Sequence, residues 1–195
     1  MNGARGEGAP RACTVALIGF MATGKSAVGR LAARRLKVPF IDTDALIEER
    51  EGPIAEIFAV RGEQVFRGIE RDVVVKVLET ALREPCVVAL GGGAVLSGDV
   101  REALGRLPHV AWLTAPADVL WARTLSAARR GRPLARDEQA FRSLLEERND
   151  LYRGVASNEV LNDGSRALAA VADEVAALAA DGALHAAPGP GEQRG

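Results

Sequence analysis

The chain has 195 residues, of which 48% are hydrophobic and 26% charged, and its formal net charge is −1. This length suits one globular domain, or one domain with a small inserted cap, that buries a sizeable core. The small net charge argues against a nucleic-acid-binding protein or a membrane-surface protein, because neither partner would be attracted over long range.

The sequence also bears on cellular location. No apolar stretch approaches the roughly 20 residues needed to span a bilayer, and residues 1–12 lack the apolar segment of a secretory signal. Cys13 and Cys86 do not have the spacing of metal ligands, so we interpret them as free thiols in a reducing compartment. We therefore expect a cytoplasmic protein, and a monomer because no coiled-coil pattern or apolar interface stripe is evident.

Apolar runs typical of strands alternate with helical stretches along the chain. Strands are predicted at residues 13–18, 38–41, 86–90, 110–113 and 159–161, and helices at about 27–36, 45–51, 63–83, 99–107, 116–122, 137–152 and 167–180. This alternation favours an α/β fold with a parallel sheet covered by helices on both faces. We place a single domain at residues 13–181, between tails at 1–12 and 182–195 whose composition predicts disorder.

A glycine-rich segment follows the first predicted strand. Residues 19–26 read GFMATGKS and fit the phosphate-binding pattern G-x-x-x-x-G-K-S/T, with a strand before and a helix after, which is the context that supports this motif. Gly19 and Gly24 would let backbone N–H groups point at an anion near the helix N-terminus. Lys25 can reach the β- and γ-phosphates, and the Ser26 hydroxyl can bind Mg²⁺. An accidental glycine turn is the less favoured interpretation.

Two further polar or glycine-rich segments come directly after strands. Asp42-Thr43-Asp44 follows the second predicted strand, and Gly91-Gly92-Gly93 follows the third. Ligands of open α/β sheets bind beyond the carboxyl ends of the strands, so we expect these segments to meet the phosphate loop. The aspartates could divide Mg²⁺ binding and contact with an acceptor hydroxyl. They could also be turn and cap residues, and Asp44 is predicted to cap the next helix.

The glycines and two arginines also allow simpler interpretations. Three glycines can form a tight turn, or they can let a ligand approach backbone N–H groups closely. Arg67 could form an ion pair with Glu70, three residues on, along a solvated helix face. Arg148 could be a surface charge. Spacing alone singles out neither arginine.

Taken together, these motifs resemble the shikimate kinase family from residue 13 to about 178. The resemblance rests on GFMATGKSAVGRLAARRL, FIDTDALIEEREG, IAEIFAVRGEQVFRGIE, LGGGAV, the RPL at 132–134 and the ERNDLY at 147–152. The F-R-x-x-E segment and the triple glycine are specific within phosphate-loop kinases, whereas the loop itself is shared by very many proteins. The resemblance implies a P-loop NTPase fold of the nucleoside monophosphate kinase type, with five parallel strands and a mobile lid at about 123–136.

The resemblance further implies that ATP phosphorylates the 3-hydroxyl of shikimate, giving ADP and shikimate 3-phosphate in the pathway to chorismate and aromatic amino acids. Its catalytic residues would be Lys25, Asp44 and Arg132. The residues contacting ATP would be Ala22, Thr23, Gly24, Lys25, Ser26, Ala27, Arg123 and Arg132, with Ser165 or Arg166 as candidates beside the adenine. Shikimate would be held by Asp44, Arg67, Gly91, Gly92, Gly93 and Arg148. Mg²⁺ would be bound by Ser26 directly and by Asp42 through water.

Two other functions are weighed against this one. A related kinase for another polyol acid, such as gluconate, is disfavoured because the triple glycine, Arg67 and Arg148 suit a rigid ring acid. A nucleotide-binding module without catalysis is disfavoured because Lys25, Asp44 and the predicted lid arginine, Arg132, are all present.

Overall fold

A computed structural model of the chain describes residues 14–128 and 137–184, with side chains up to 126 in the first range and 179 in the second. The strands are β1 (Val15–Ile18), β2 (Phe40–Asp42), β3 (Val87–Ala89), β4 (Val110–Thr114) and β5 (Asn158–Leu161). The helices are α1 (Lys25–Leu36), α2 (Thr43–Glu51), α3 (Ile54–Arg61), α4 (Glu63–Ala81), α5 (Gly98–Gly105), α6 (Ala117–Ala128), α7 (Glu138–Val155) and α8 (Leu168–Leu184). A short 3₁₀ turn spans Ala94–Leu96.

The strands form one five-stranded sheet in the order β2-β3-β1-β4-β5, and every pairing is parallel. The central strand β1 pairs with β3 on one side and β4 on the other, so that Ala16 lies opposite both Val88 and Val110. The prediction of a five-stranded parallel sheet is confirmed. The carboxyl ends of β1, β2 and β3 therefore lie at one edge, and the segments that follow them are neighbours.

Successive side chains of the sheet are buried on opposite faces. One face carries Val15, Leu17, Val87, Ala89 and Leu113, and it packs against buried residues of α1 and α8. The other carries Ala16, Ile18, Val88, Leu90 and Trp112, and it packs against α4, α5 and α7. Helices on both faces bury every side chain of β1 and β3, which explains their continuous apolar sequence.

A smaller cluster fixes α2, α3 and α4 to one another. Ile47, Ile57 and Phe66 are buried together, each from a different one of these helices. Phe58 packs against Phe66 with ring centroids 4.6 Å apart. This cluster positions the first turns of α4 beside the segment that follows β3.

The structure bears on three details of the sequence interpretation. The prediction that Asp44 caps α2 is wrong: the helix begins at Thr43, and the Asp42 side chain accepts the capping hydrogen bond from the Ala45 N–H. At the other end of the chain, α8 continues to Leu184, into the stretch predicted as a tail. In the predicted lid, residues 123–128 belong to α6, while residues 129–136, Arg132 among them, lie outside the described residues.

Within the described residues, no helix is both long enough and apolar enough to cross a membrane. Cys86 is a free, buried thiol, and Cys13 lies outside the described ranges.

We expect Gly29→Ala to destabilise the fold by about 1–3 kcal/mol, because the added methyl group overpacks the contact between α1 and the sheet. A Cβ at Gly29 would lie 2.5 Å from Cε2 of Phe40 and 3.0 Å from Cδ1 of Leu17. Urea unfolding followed by circular dichroism measures the change.

Gly68→Ala is the matched control, because a Cβ at this α4 position has no neighbouring atom within 4 Å. There the higher helix propensity of alanine should stabilise the protein by about 0.5–1 kcal/mol. Stabilisation of similar size by both substitutions would contradict the packing argument.

Candidate active site

The phosphate loop joins the end of β1 to the start of α1. Gly24 caps α1 with φ 91°, and Gly19 opens the loop with φ 140°. Ala22 also has a positive φ, 63°, which costs energy for a residue with a Cβ. These turns direct the loop toward the N-terminus of α1, where unpaired N–H groups and the helix dipole favour an anion.

The Lys25 side chain lies over this loop. Its Nζ donates to the carbonyl oxygens of Gly19, at 2.7 Å, and Phe20, at 2.9 Å. Burial lowers the pKa of Lys25 to about 8, although the carboxylates of Asp44 and Asp42 act in the opposite direction. Phosphate oxygens would give this ammonium group a better counter-charge than carbonyl oxygens do, so Lys25 is suited to an anionic ligand.

Asn162, which the sequence reasoning missed, attaches the loop to the other half of the sheet. It is buried directly after β5, and its Nδ2 donates to the Thr23 carbonyl at 2.8 Å. Its backbone N–H donates to the Thr114 carbonyl at 2.8 Å. Arg123 donates to the Asn162 carbonyl at 2.8 Å and reaches the Ala22 carbonyl at 3.5 Å, which places it beside the phosphate loop.

A hydroxyl and a carboxylate stand together at the start of α1. Ser26 Oγ donates to Asp42 Oδ2 at 2.6 Å, joining the residue after Lys25 to the end of β2. Hard oxygen ligands of this kind suit Mg²⁺, which usually keeps several waters and takes phosphate oxygens for the rest of its shell. No cluster of three or more metal-ligating side chains occurs within the described ranges, so a metal here would need that mixed shell.

Asp44 lies in the first turn of α2 and faces the triple glycine. A Cβ at Gly91 would overlap the Asp44 carboxylate and lie 2.7 Å from Oε1 of Glu70. The Gly91 N–H donates to the Thr43 hydroxyl at 3.1 Å, which ties the glycine segment to α2. Burial raises the pKa of Asp44 to about 6, with Lys25 acting in the opposite direction. Asp44 is thus a weakly solvated carboxyl group close to an ammonium group.

Arg67 and Glu70 form the predicted ion pair, in which Glu70 is buried and Arg67 is partly exposed. Arg67 Nη1 and Glu70 Oε2 are 2.6 Å apart, and only 3% of Glu70 is exposed. Burial raises the pKa of Glu70, and its hydrogen bond to Arg67 opposes that shift. A Cβ at Gly93 would collide with the Arg67 guanidinium. The interpretation of a solvated pair is therefore wrong, because the pair lies against the glycine segment.

Arg148 approaches the glycine segment from α7. It is 8% exposed, so the interpretation of a surface charge is wrong. Its Nη1 donates to the Gly92 carbonyl at 3.2 Å, and its guanidinium lies 5.5 Å from the centre of the Phe20 ring. Its Nε is buried and has no partner among the described residues. A buried cation with an unpaired donor calls for an anionic ligand.

The predicted site residues that lie within the described ranges mostly converge. The phosphate loop, both aspartates, the triple glycine and the two arginines meet at the carboxyl edge of the sheet. Ala27 is exposed on α1. Ser165 and Arg166 are exposed beyond β5, where Arg166 is paired with Glu174 and with the Leu161 carbonyl.

Comparison with known proteins shows the family and the fold. The family model described as shikimate kinase matches residues 21–179. A shikimate kinase of Mycobacterium avium (strain 104) is 48% identical over 149 residues, which cover 74% of this chain and 81% of that protein. One from Ruegeria pomeroyi is 41% identical over 171 residues, covering 86% and 85%. The solved structure of the Acinetobacter baumannii shikimate kinase in complex with shikimate has a TM-score of 0.76 at 32% identity, covering 85% of this chain and 92% of that one.

The P-loop NTPase fold that the resemblance implied is thereby confirmed. The matched residues include the phosphate loop from Met21 onward, the triple glycine and both arginines. The chain therefore belongs to the shikimate kinase family, a family of phosphotransferases that use ATP and an alcohol acceptor.

Proposed function

We propose that the chain transfers the terminal phosphoryl group of ATP to the 3-hydroxyl of shikimate. The observation that carries this proposal is the pair of arginines beside the triple glycine, with Asp44 facing the same backbone. Such an arrangement offers cations to the acid group of a small molecule and a carboxylate to its hydroxyls. It also adjoins the phosphate loop, as phosphoryl transfer requires.

At the acid end, Arg67 and Arg148 would hold the carboxylate of shikimate. The Glu70 carboxylate would orient Arg67, because its Oε2 lies 2.6 Å from Arg67 Nη1. The buried Nε of Arg148 has no hydrogen-bond partner among the residues that the structure describes. Two guanidinium groups can clamp a carboxylate by paired hydrogen bonds, which lysines do less well. The backbone of Gly91, Gly92 and Gly93 would lie along the ring.

At the nucleotide end, the phosphate loop would hold the β- and γ-phosphates of ATP. The Lys25 ammonium would leave the two carbonyl oxygens it now contacts and turn to the phosphates. Ser26 and Asp42 would hold Mg²⁺, whose charge helps neutralise the phosphate oxygens. Arg123 would flank the adenine side, and Arg132 would approach from the lid.

Asp44 would contact the attacking hydroxyl and accept its proton late in the transfer. Because its pKa lies near 6, most of the Asp44 carboxyl group is ionised at neutral pH and can accept a proton. A loose transition state needs little help from a strong base, so positioning and electrostatics would supply most of the rate.

We also infer a cytoplasmic monomer, on the sequence composition alone.

The first test is substrate preference. We expect kcat/KM for shikimate to exceed that for quinate or gluconate by about a hundredfold or more, because a rigid polar pocket rejects acids with mismatched hydroxyls. ADP release with Mg·ATP and each acid in turn measures this. Turnover of gluconate at a similar rate, or of none of the three, would overturn the proposal.

Replacing Arg148 tests the acid clamp. Arg148→Lys should raise KM for shikimate by about ten- to a hundredfold, because a charge-assisted hydrogen bond contributes roughly 1.5–3 kcal/mol. KM for ATP should change little. The control is Arg153→Lys, an exposed arginine on the same helix that pairs with Asp150. If both substitutions raise KM for shikimate equally, Arg148 does not bind the carboxylate of shikimate.

Replacing Asp44 separates chemistry from binding. Asp44→Asn should lower kcat by about 10²–10⁴-fold, the usual effect of losing a positioned general base. Glu49→Gln, at an exposed position on the same helix, serves as the control. A nearly normal kcat with a raised KM for shikimate would make Asp44 a binding residue only.

A further inference from the structure

One carbonyl of the glycine segment accepts two hydrogen bonds from α7. The Gly92 oxygen receives the Tyr152 hydroxyl at 2.6 Å and Arg148 Nη1 at 3.2 Å. Tyr152 is fully buried, and its ring stacks on Trp112 with centroids 5.9 Å apart. The shorter hydrogen bond therefore comes from the rigidly packed Tyr152. The longer one comes from Arg148, to which the proposed function also assigns the substrate carboxylate.

Fixing this carbonyl fixes a peptide plane that lies between the two arginines. The Gly92 oxygen and the Gly93 N–H belong to the same planar group and point in opposite directions. Gly93 lies directly against the Arg67 guanidinium, and Gly92 is bonded to Arg148. Glycine restrains its own backbone weakly, so an outside group is needed to hold such a plane.

Arg148 cannot supply that restraint and also serve the substrate fully. A guanidinium that turns its donors to an incoming carboxylate weakens its bond to the Gly92 carbonyl, which would leave a buried acceptor unpaired at a cost. With the Tyr152 hydroxyl in place, that carbonyl keeps a donor throughout. Burial also raises the pKa of Tyr152 to about 12, so the hydroxyl retains its proton through the neutral range.

We propose that Tyr152 is a positioning residue for the acid-binding half of the site: its hydroxyl holds the Gly92 carbonyl and so frees Arg148 to bind the carboxylate of the substrate. This inference rests on the proposed function. Tyr152 acts through Gly92 and Arg148 and does not contact the reacting atoms.

Tyr152→Phe tests the role by removing one oxygen and keeping the ring. Arg148 then becomes the sole donor to the Gly92 carbonyl among the described contacts, and the substrate must compete for it. We expect KM for shikimate to rise about tenfold, the effect of one buried hydrogen bond, with kcat and KM for ATP nearly unchanged. An unchanged KM for shikimate would overturn the inference.

Thr14→Val is the matched control for lost stability. Thr14 is also buried, and its hydroxyl donates to the Ala81 carbonyl at 2.7 Å, at the other end of β1. Thermal unfolding should show a similar loss for both variants, while Thr14→Val leaves every KM at its original value. A rise in KM for shikimate in both variants would mean that Tyr152 has only a structural role.

A double substitution tests whether Tyr152 acts through Arg148. If it does, Tyr152→Phe should raise KM for shikimate by much less in an Arg148→Lys background than in the wild type. The reason is that the guanidinium through which Tyr152 acts is already absent from that background. Fully multiplicative effects would contradict the inference. Wild-type turnover of shikimate, measured in the same series, separates this outcome from failure of the proposed function.

The chain offers a second readout that needs no substitution. Tyr152 is the only tyrosine, so incorporating 3-fluorotyrosine gives one ¹⁹F resonance. Titration with shikimate should shift that resonance, because Arg148 leaves the carbonyl that the phenol contacts, whereas ATP alone should shift it much less. If the ¹⁹F chemical shift does not change as shikimate saturates the enzyme, the inference is overturned. This readout remains available even if the Tyr152→Phe variant does not fold.

Discussion

Charged side chains approach the backbone of residues 91–93 more closely than a Cβ would allow. Asp44 and Glu70 fill the space beside Gly91, and Arg67 fills the space beside Gly93. Neither of these glycines has a positive φ, so the requirement is steric and does not arise from backbone conformation. Helices α2 and α4 can bring acidic and basic groups to this strip of backbone because Gly91 and Gly93 have no side chains. The proposed acceptor site depends on this absence.

Much of the proposed nucleotide site, residues 19–26 with Asp42, could be predicted from the sequence, because its determinants are local. The phosphate loop, its strand and its helix are contiguous, and a parallel sheet brings the ends of the first three strands together whatever the details. The error at Asp44 has an equally local cause. Asp42 and Asp44 are both good capping residues, and the choice between them is set by where β2 stops pairing with β3, at Asp42 opposite Ala89.

The proposed acceptor site and the anchoring of the phosphate loop were harder to predict, because their contacts join distant parts of the chain. Gly92 and Tyr152 are 60 residues apart, and Thr23 and Asn162 are 139 apart. One signal was present in the sequence: Phe66, Glu70 and Val74 recur every fourth residue, so Glu70 falls on the buried stripe of α4. Arg148 likewise lies four residues before Tyr152 on the buried side of α7. A charged residue on an apolar stripe indicates a buried partner or ligand, which the amphipathic pattern alone does not identify.

Hydrogen bonds from Asn162 and Thr23 hold the phosphate loop in one conformation, which affects the free energy of binding a nucleotide there. The Asn162 amide holds the loop from the end of β5, and the Thr23 hydroxyl closes it internally on the Phe20 carbonyl at 2.8 Å. The backbone is thus already shaped for an anion, and in the proposed complex the Lys25 ammonium would move from the carbonyl oxygens of Gly19 and Phe20 to phosphate oxygens. The loop backbone loses its conformational entropy when the chain folds. Ligand binding therefore does not have to compensate for ordering the loop. Preorganisation of this kind would lower the free-energy cost of binding a highly charged ligand at this loop.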